Sequence, residues 1–276
     1  MTEVSSIGLG AVLSDRYELV AELALGAMGT VYVAVDRVAG DRVAVKVLHA
    51  EYLTHDAMRR RFRREGAALK ALDHPAIVRL LDLGIEDTGL VYLVTEYVQG
   101  ETLAARLESG SLRIEEADLL IDTMCGGIDA AHRHGILHGD LKPANVLWGS
   151  TPRLVDFGAS KVLGLDRLTA TGEISGTPAY MAPEVFTGAG DVDERIDVYG
   201  LGVLAYHALG GQPPFAEGHV GRLLMKIDAG DCLPLDAIAD VPPALAEVVG
   251  RAMHRRKEQR YRSVTELLDA WRGARS

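Results

Sequence analysis

The sequence predicts an α+β chain, β-rich in its amino-terminal part and helical in its carboxy-terminal part, and three observations lead there. Short Val- and Tyr-rich runs separated by Gly-containing turns fill much of residues 17–48. Apolar residues spaced by three and four take over in 54–72 and again from about 115 onward. The character changes after Gly100, so two lobes joined near residues 96–101 suit a chain of 276 residues.

Residues 1–14 are small, polar and Gly-containing, and are expected to form a flexible lead-in to a folded body over about 15–273. Three strands are expected at 17–23, 30–36 and 42–48, the last two forming a hairpin around Gly40-Asp41. Over 54–72, Met58, Phe62, Glu65, Leu69 and Leu72 repeat on one helical face. Glu65 lies inside that apolar stripe, where an unpaired carboxylate costs several kcal/mol. Lys46, at the end of the run Val43-Ala44-Val45-Lys46, is the partner the sequence offers. Two further strands are expected at 77–83 and 90–97. A helix over 115–134, with Leu120, Met124, Ile128 and Ala131 on one face, stops at Gly135. Later helices are expected at 194–209, 219–229, 243–254 and 264–272.

Composition narrows the class. The apolar and charged fractions are those of a soluble globular protein. A net charge of −10 argues against nucleic acid as a partner. The run Arg59, Arg60, Arg61, Arg63, Arg64 reads as the solvated face of a helix. Cys125 and Cys232 make neither a CxxC pair nor a metal-ligand spacing, and read as free thiols. No membrane segment is expected: no apolar run is long enough to span a bilayer. The amino terminus lacks a signal-peptide pattern. The expected location is cytoplasmic, either as such or as the cytoplasmic domain of a longer membrane-anchored protein.

The chemistry is concentrated in four stretches. Residues 138–158 read HGDLKPANVLWGSTPRLVDFG and set Asp140, Lys142, Asn145 and Asp156 on two loops flanking a short apolar strand. A base, a cation and two oxygen ligands for a hard metal are what phosphoryl transfer from Mg-ATP needs. His132, His134 and His138 have poor spacing for one face, and no Cys or carboxylate completes a zinc set. Leu25-Gly26-Ala27-Met28-Gly29-Thr30-Val31 lies between the first two strands, where glycines let backbone N–H groups approach phosphate oxygens. A Lys46–Glu65 pair would hold the lysine toward the α- and β-phosphates. The polar, Thr-rich segment from Asp156 to Glu184 ends in Gly176-Thr177-Pro178-Ala179-Tyr180-Met181-Ala182-Pro183-Glu184, and loops of that length are usually functional.

With these residues in place the chain resembles the bacterial eukaryotic-like (Hanks-type) Ser/Thr protein kinases over about residues 13–272. The stretches that carry the resemblance include SDRYELVAELALGAMGTVYVA, VAVKVL, HGDLKPANVLW, LVDFGASK, GTPAYMAPE and DVYGLGVLAYHALGGQPPF. It implies a bilobal protein-kinase fold, with a small antiparallel N-lobe holding one long helix (about 15–96), a hinge (about 96–101) and a larger helical C-lobe (about 102–273). It implies transfer of the γ-phosphate of ATP, with Mg²⁺ or alternatively Mn²⁺, to Ser/Thr hydroxyls of protein substrates, including autophosphorylation by self-association in trans.

The resemblance also implies roles. Asp140 would accept or orient the hydroxyl proton, Lys142 would steady the γ-phosphate, and Asn145 and Asp156 would hold the metal. Lys46 with Glu65 would position the α- and β-phosphates. Leu23, Ala24, Leu25, Gly26, Ala27, Met28, Gly29, Val31, Ala44 and Leu147 would surround the nucleotide. Glu96 and Val98 would offer backbone contacts to adenine behind a small gatekeeper, Thr95. Thr177 would bond near Asp140, Asp197 would anchor the catalytic loop, and Glu184 would pair with Arg260. Leu69, Phe157 and His138 would stack as a spine. Thr169 and Thr171 match activation-loop phosphosites, with Ser175 the weaker match. Two departures stand out: Ala24 replaces a glycine of the phosphate loop, and Gly139 replaces the arginine that in the family clamps a phosphorylated activation loop. They motivate an alternative, a pseudokinase or nucleotide-binding scaffold, although neither is a catalytic group. The APE segment argues against a small-molecule kinase.

Overall fold

The computed structural model describes residues 7–26, 29–53, 55–156, 178–187 and 192–275. It divides into two compact units, Met1–His74 with Val78–Gln99, and Pro75–Ile77 with Gly100–Ser276. Among the described residues no helix is long and apolar enough to cross a membrane.

The first unit is built on a six-stranded sheet made of β1 (Val12–Leu13), β2 (Tyr17–Leu25), β3 (Gly29–Asp36), β4 (Arg42–Leu48), β5 (Leu80–Ile85) and β6 (Val91–Glu96). All neighbours are antiparallel, in the order β1-β2-β3-β4-β6-β5. The helix α1 (Asp56–Ala71) follows a short 3-10 turn at Ala50–Tyr52. Cross-strand register divides the sheet into two faces. Val31 sits opposite Lys46, Lys46 opposite Leu93, and Ala44 opposite Thr95. Because side chains alternate along a strand, Ala24, Val31, Ala44, Lys46 and Thr95 share one face. Phe62 of α1 packs in a cluster with Leu48, Val91 and Leu93 of that face. The opposite face carries Tyr32, Ala34, Val43, Val45, Val47, Tyr92 and Val94 into a core with Leu13, Tyr17 and Leu19.

Three expectations need correction here. Residues 12–13 of the expected lead-in are paired as β1, and Leu13 is buried. The β1–β2 turn places Ser14 and Asp15 at φ +45° and +56°, a primed turn that needs no glycine. The Ser14 N–H and hydroxyl both donate to Glu86, and the Tyr92 hydroxyl donates to Ser14 Oγ at 2.6 Å. The strand expected at 77–83 begins at Leu80 instead. Ile77 forms a parallel bridge to Leu154, and the Leu154 N–H donates to the Ala76 carbonyl, so these apolar residues serve the second unit. The helix expected from 54 starts at Asp56; residue 54 lies outside the described residues.

The second unit has a small sheet of β7 (Glu101–Thr102), β8 (Val146–Trp148) and β9 (Arg153–Leu154). Its helices are α2 (Leu103–Glu108), α3 (Ile114–His132), α4 (Pro183–Thr187), α5 (Arg195–Gly210), α6 (Val220–Ala229), α7 (Pro243–Ala252) and α8 (Val264–Ala274). α5 is buried on every side from Ile196 to Tyr206, as expected of a helix at the centre of a helical layer. It ends at Gly211 (φ +76°), whose N–H donates to the His207 carbonyl. The α3 helix buries Leu120, Ile121, Met124, Ile128 and Ala131, and Gly135 follows at φ +68°. The sequence reading did not foresee α2 and α4, which span six and five residues, too few for a periodic pattern.

Candidate active site

In the first unit, Lys46 Nζ donates to Glu65 Oε1 at 2.8 Å, and Glu65 is 2 % exposed. The carboxylate in the apolar stripe of α1 therefore meets a cation from the middle of the sheet. Gly26 and Gly29 bracket the β2–β3 turn, which closes by a 2.9 Å bond from the Gly26 N–H to the Gly29 carbonyl. A Cβ at Gly29 would run into the Val47 carbonyl, so close strand approach alone requires glycine there. Leu23, Ala24 and Leu25 are exposed; Ala27 and Met28 lie outside the described residues. The Glu96 N–H donates to the Arg79 carbonyl, and its carboxylate accepts from the Arg79 N–H. Val98 follows β6 by two residues and is half-buried.

The second unit gathers the residues expected to do chemistry. Lys142 Nζ donates to Asp140 Oδ2 at 2.8 Å. The Asn145 side-chain amide donates to the Asp140 carbonyl at 2.9 Å and to Asp140 Oδ2 at 3.1 Å. With its nitrogen so engaged, the remaining donor atom of Asn145 is a hard oxygen. The β8–β9 hairpin explains how Asp156 joins the group. Asn145 precedes β8, Asp156 follows β9 by two residues, and the Val155 N–H donates to the Asn145 carbonyl at 3.0 Å. Asp156 has φ +66°, an uncommon conformation for a residue with a side chain. Leu147 lies in β8 between Thr102 and Arg153. Phe157, Thr169, Thr171, Ser175 and Thr177 lie outside the described residues.

Asp197, buried on α5, holds the loop that presents Asp140. It accepts from the His138 N–H at 2.9 Å and the Gly139 N–H at 2.7 Å, and bonds His132 Nε2 at 2.7 Å. Burial by itself would raise its pKa; the bonds from His132 and the loop N–H groups overcome that and lower it. Burial lowers the pKa of His138, against the raising influence of Asp197, Asp140 and Asp156. Its Nδ1 accepts from the Asp140 N–H at 3.2 Å, which fits a neutral ring. The sequence reading missed His132 as a partner of Asp197. The available signal was its place one turn after Ile128 on the apolar face of α3.

Arg260 pairs with Glu184 through two bonds of 2.7 and 2.8 Å and donates to the carbonyls of His254, Arg195 and Arg255. Its guanidinium lies over the Tyr199 ring, 4.8 Å from the centroid. Beside Lys142 a cleft of about 370 Å³ is lined by Leu107, Pro143, Ala144, Tyr180 and His207. The Tyr180 hydroxyl and His207 Nδ1 share a 2.6 Å hydrogen bond, a pairing the sequence did not suggest.

Known proteins resemble the chain over nearly its whole length. The protein kinase domain family matches residues 17–270. The chain is 37% identical over 280 residues to the serine/threonine-protein kinase pkn2 of Myxococcus xanthus, covering 96% of this chain and 33% of that protein. It is 37% identical over 264 residues to PknB of Mycolicibacterium smegmatis, covering 92% of this chain and 42% of that one. With PknA of Mycobacterium tuberculosis the identity is 36% over 269 residues, covering 95% and 62%. The chain thus spans about a third to three fifths of these curated relatives. Among solved structures it resembles the Mycobacterium tuberculosis PknI kinase domain, with a TM-score of 0.78, 30% identity and coverage of 98% and 99%. A β-sheet unit with a Lys–Glu pair, a helical unit with the Asp140–Lys142–Asn145 cluster and these matches give one conclusion: the chain belongs to the protein kinase domain family.

Proposed function

We propose that the chain transfers the γ-phosphoryl group of ATP to Ser or Thr hydroxyls of proteins. The observation that carries this is Asp140, whose Oδ2 is fixed by Lys142 at 2.8 Å and by Asn145 at 3.1 Å on a loop bolted to Asp197. A carboxylate so held can accept or orient the proton of an incoming hydroxyl without reorganising. Lys142 supplies positive charge beside it, where the transferred phosphoryl group gathers negative charge. The cleft beside Lys142 offers room for a side chain of a polypeptide acceptor.

In the first unit, Lys46 is held by Glu65 for the α- and β-phosphates, on the sheet face it shares with Ala24, Val31, Ala44 and Thr95. The Glu96 N–H is committed to Arg79, so its contact to adenine comes from the carbonyl. A divalent metal fits the donors of the second unit: the Asn145 side-chain nitrogen is committed to Asp140, so its oxygen would be the ligand atom, and Asp156 would add a carboxylate. Among the described residues no three His, Cys, Asp or Glu side chains form a cage. Mg²⁺ keeps waters and substrate phosphates among its ligands and asks the protein for only one or two oxygen donors. When bound, the metal neutralises phosphate charge. Autophosphorylation at Thr169 or Thr171 belongs to the same reading.

The test is incubation with Mg-ATP and a Ser/Thr-containing protein substrate, beside Asp140→Asn. Removing a positioned base lowers transfer by about 10²–10⁴-fold. No transfer by the wild type, or equal transfer by both proteins, overturns the proposal.

A further inference from the structure

A second cleft in the second unit lies among none of the residues assigned a role in the candidate active site. It has a volume of about 440 Å³, with Tyr206 of α5, Leu233, Pro234 and Leu235 of the α6–α7 connection, and Val249 and Met253 at the end of α7 as its apolar lining. The Tyr206 hydroxyl donates to the Leu233 carbonyl at 3.0 Å and so fixes the connection to the central helix. Leu233 itself is 62 % exposed, a large apolar side chain left at the mouth. Asp236 and Glu247, both exposed, line the same cleft.

The two charged side chains that line the cleft, Asp236 and Glu247, are both acids. From residue 227 to 250 the sequence holds Asp228, Asp231, Asp236, Asp240 and Glu247 and no Lys or Arg. All five acids are exposed. The cations that bound this stretch in sequence, Lys226 and Arg251, are not part of the cleft lining, and each has an acidic partner outside it. Lys226 pairs with Glu217 at 2.7 Å, and Arg251 pairs with Glu266 and lies over the Tyr261 ring, 4.2 Å from the centroid. An apolar cleft with two acids and no cation in its lining disfavours anionic lipid and nucleic acid. It favours a cationic polypeptide that also brings an apolar side chain.

We infer that this cleft docks a basic polypeptide segment, an apolar anchor side chain entering between Leu233 and α7 while flanking Lys or Arg residues face Asp236 and Glu247. That the docked polypeptide is a phosphorylation substrate rests on the kinase reading; the binding itself does not. Rim charges of this kind set partner choice and encounter rate, and the buried anchor sets residence.

The test uses the whole chain and a fluorescein-labelled peptide of alternating Leu and Arg that lacks Ser, Thr and Tyr, followed by anisotropy. Asp236→Asn/Glu247→Gln removes rim charge at exposed positions. Gly250 lines the cleft and a Cβ there meets no heavy atom within 4 Å, so Gly250→Leu adds apolar volume to the lining without a clash while the helix gains propensity. Asp87→Asn, an exposed charge in the first unit, is the control. Expected are a roughly tenfold weaker Kd for each of the first two variants, salt sensitivity of wild-type binding, and no change for the control. Fusing the same segment to a Ser-containing acceptor should lower KM for the wild type and not for the variants, with kcat unchanged. Binding indifferent to both cleft variants, or equally sensitive to Asp87→Asn, overturns the inference. Variant-sensitive binding with no phosphate transfer overturns the kinase reading and leaves the cleft standing.

Discussion

At Gly139 the backbone stands at φ +66°, with its N–H donating to Asp197 Oδ1 at 2.7 Å. An L-residue held in that region costs about 1–2 kcal/mol. The departure from the family's arginine therefore has two consequences. The family resemblance implies an arginine clamp on a phosphorylated activation loop, which a glycine would not supply, and glycine relieves the backbone where the loop is tied to α5. Restoring the arginine would not be a free gain. Gly139→Arg and Gly139→Ala should each lower Tm by about 2–4 °C per kcal/mol lost, read by thermal melting. An unchanged or higher Tm in both would show that the bond to Asp197 does not hold this conformation. By the same reasoning, transfer should depend little on Thr169 and Thr171. Comparing rates of wild type and the Thr169→Ala/Thr171→Ala variant checks this, and a very large drop would contradict it.

Among the elements, what could be read from sequence followed from burial on one face. Val- and Tyr-rich runs between Gly-containing turns gave β2, β3 and β4, and the apolar stripe of Phe62 and Leu69 around Glu65 gave α1. The Lys46–Glu65 pair was legible because a carboxylate in an apolar stripe demands a cation. β1, α2 and α4 were not legible: elements of two to six residues carry no period, and long-range contacts decide them. The two register shifts in β2 likewise leave no trace in a single sequence. Glu184 and Arg260 are 76 residues apart, and only the family resemblance joined them. Their pairing ties α4 to the turn before α8, with the Arg260 side chain fully buried. Removing one partner strands a buried charge, at a cost of about 3–5 kcal/mol. Glu184→Gln and Arg260→Met should each lower the urea midpoint accordingly; a loss below about 1 kcal/mol would mean the pair is not holding these segments together.

For the whole molecule, the response to acid follows from where its perturbed groups lie. His138 and His207 are both in the second unit, and burial holds the pKa of each below the usual histidine value. Asp197 and Asp193 are in the same unit with lowered pKa values. Burial would raise both, and hydrogen bonds overcome it, from His132 and the Gly139 N–H to Asp197 and from Arg195 and Lys257 to Asp193. A group whose folded pKa is depressed is less readily protonated in the native state than in the unfolded chain. Its contribution is complete above the unfolded pKa and is lost as pH falls toward the folded one. For the histidines that loss begins below about pH 6.5, and for the carboxylates below about pH 4. Acidification from pH 7.5 to 5 should therefore lower Tm through the histidines before any of these carboxylates titrates. The losses in amide exchange protection should fall within residues 100–275. His207→Gln should flatten part of the slope, because it removes one titrating group while keeping a side chain able to bond the Tyr180 hydroxyl. A Tm constant from pH 7.5 to 5.5, or a slope identical in His207→Gln, would place the acid response outside these buried rings.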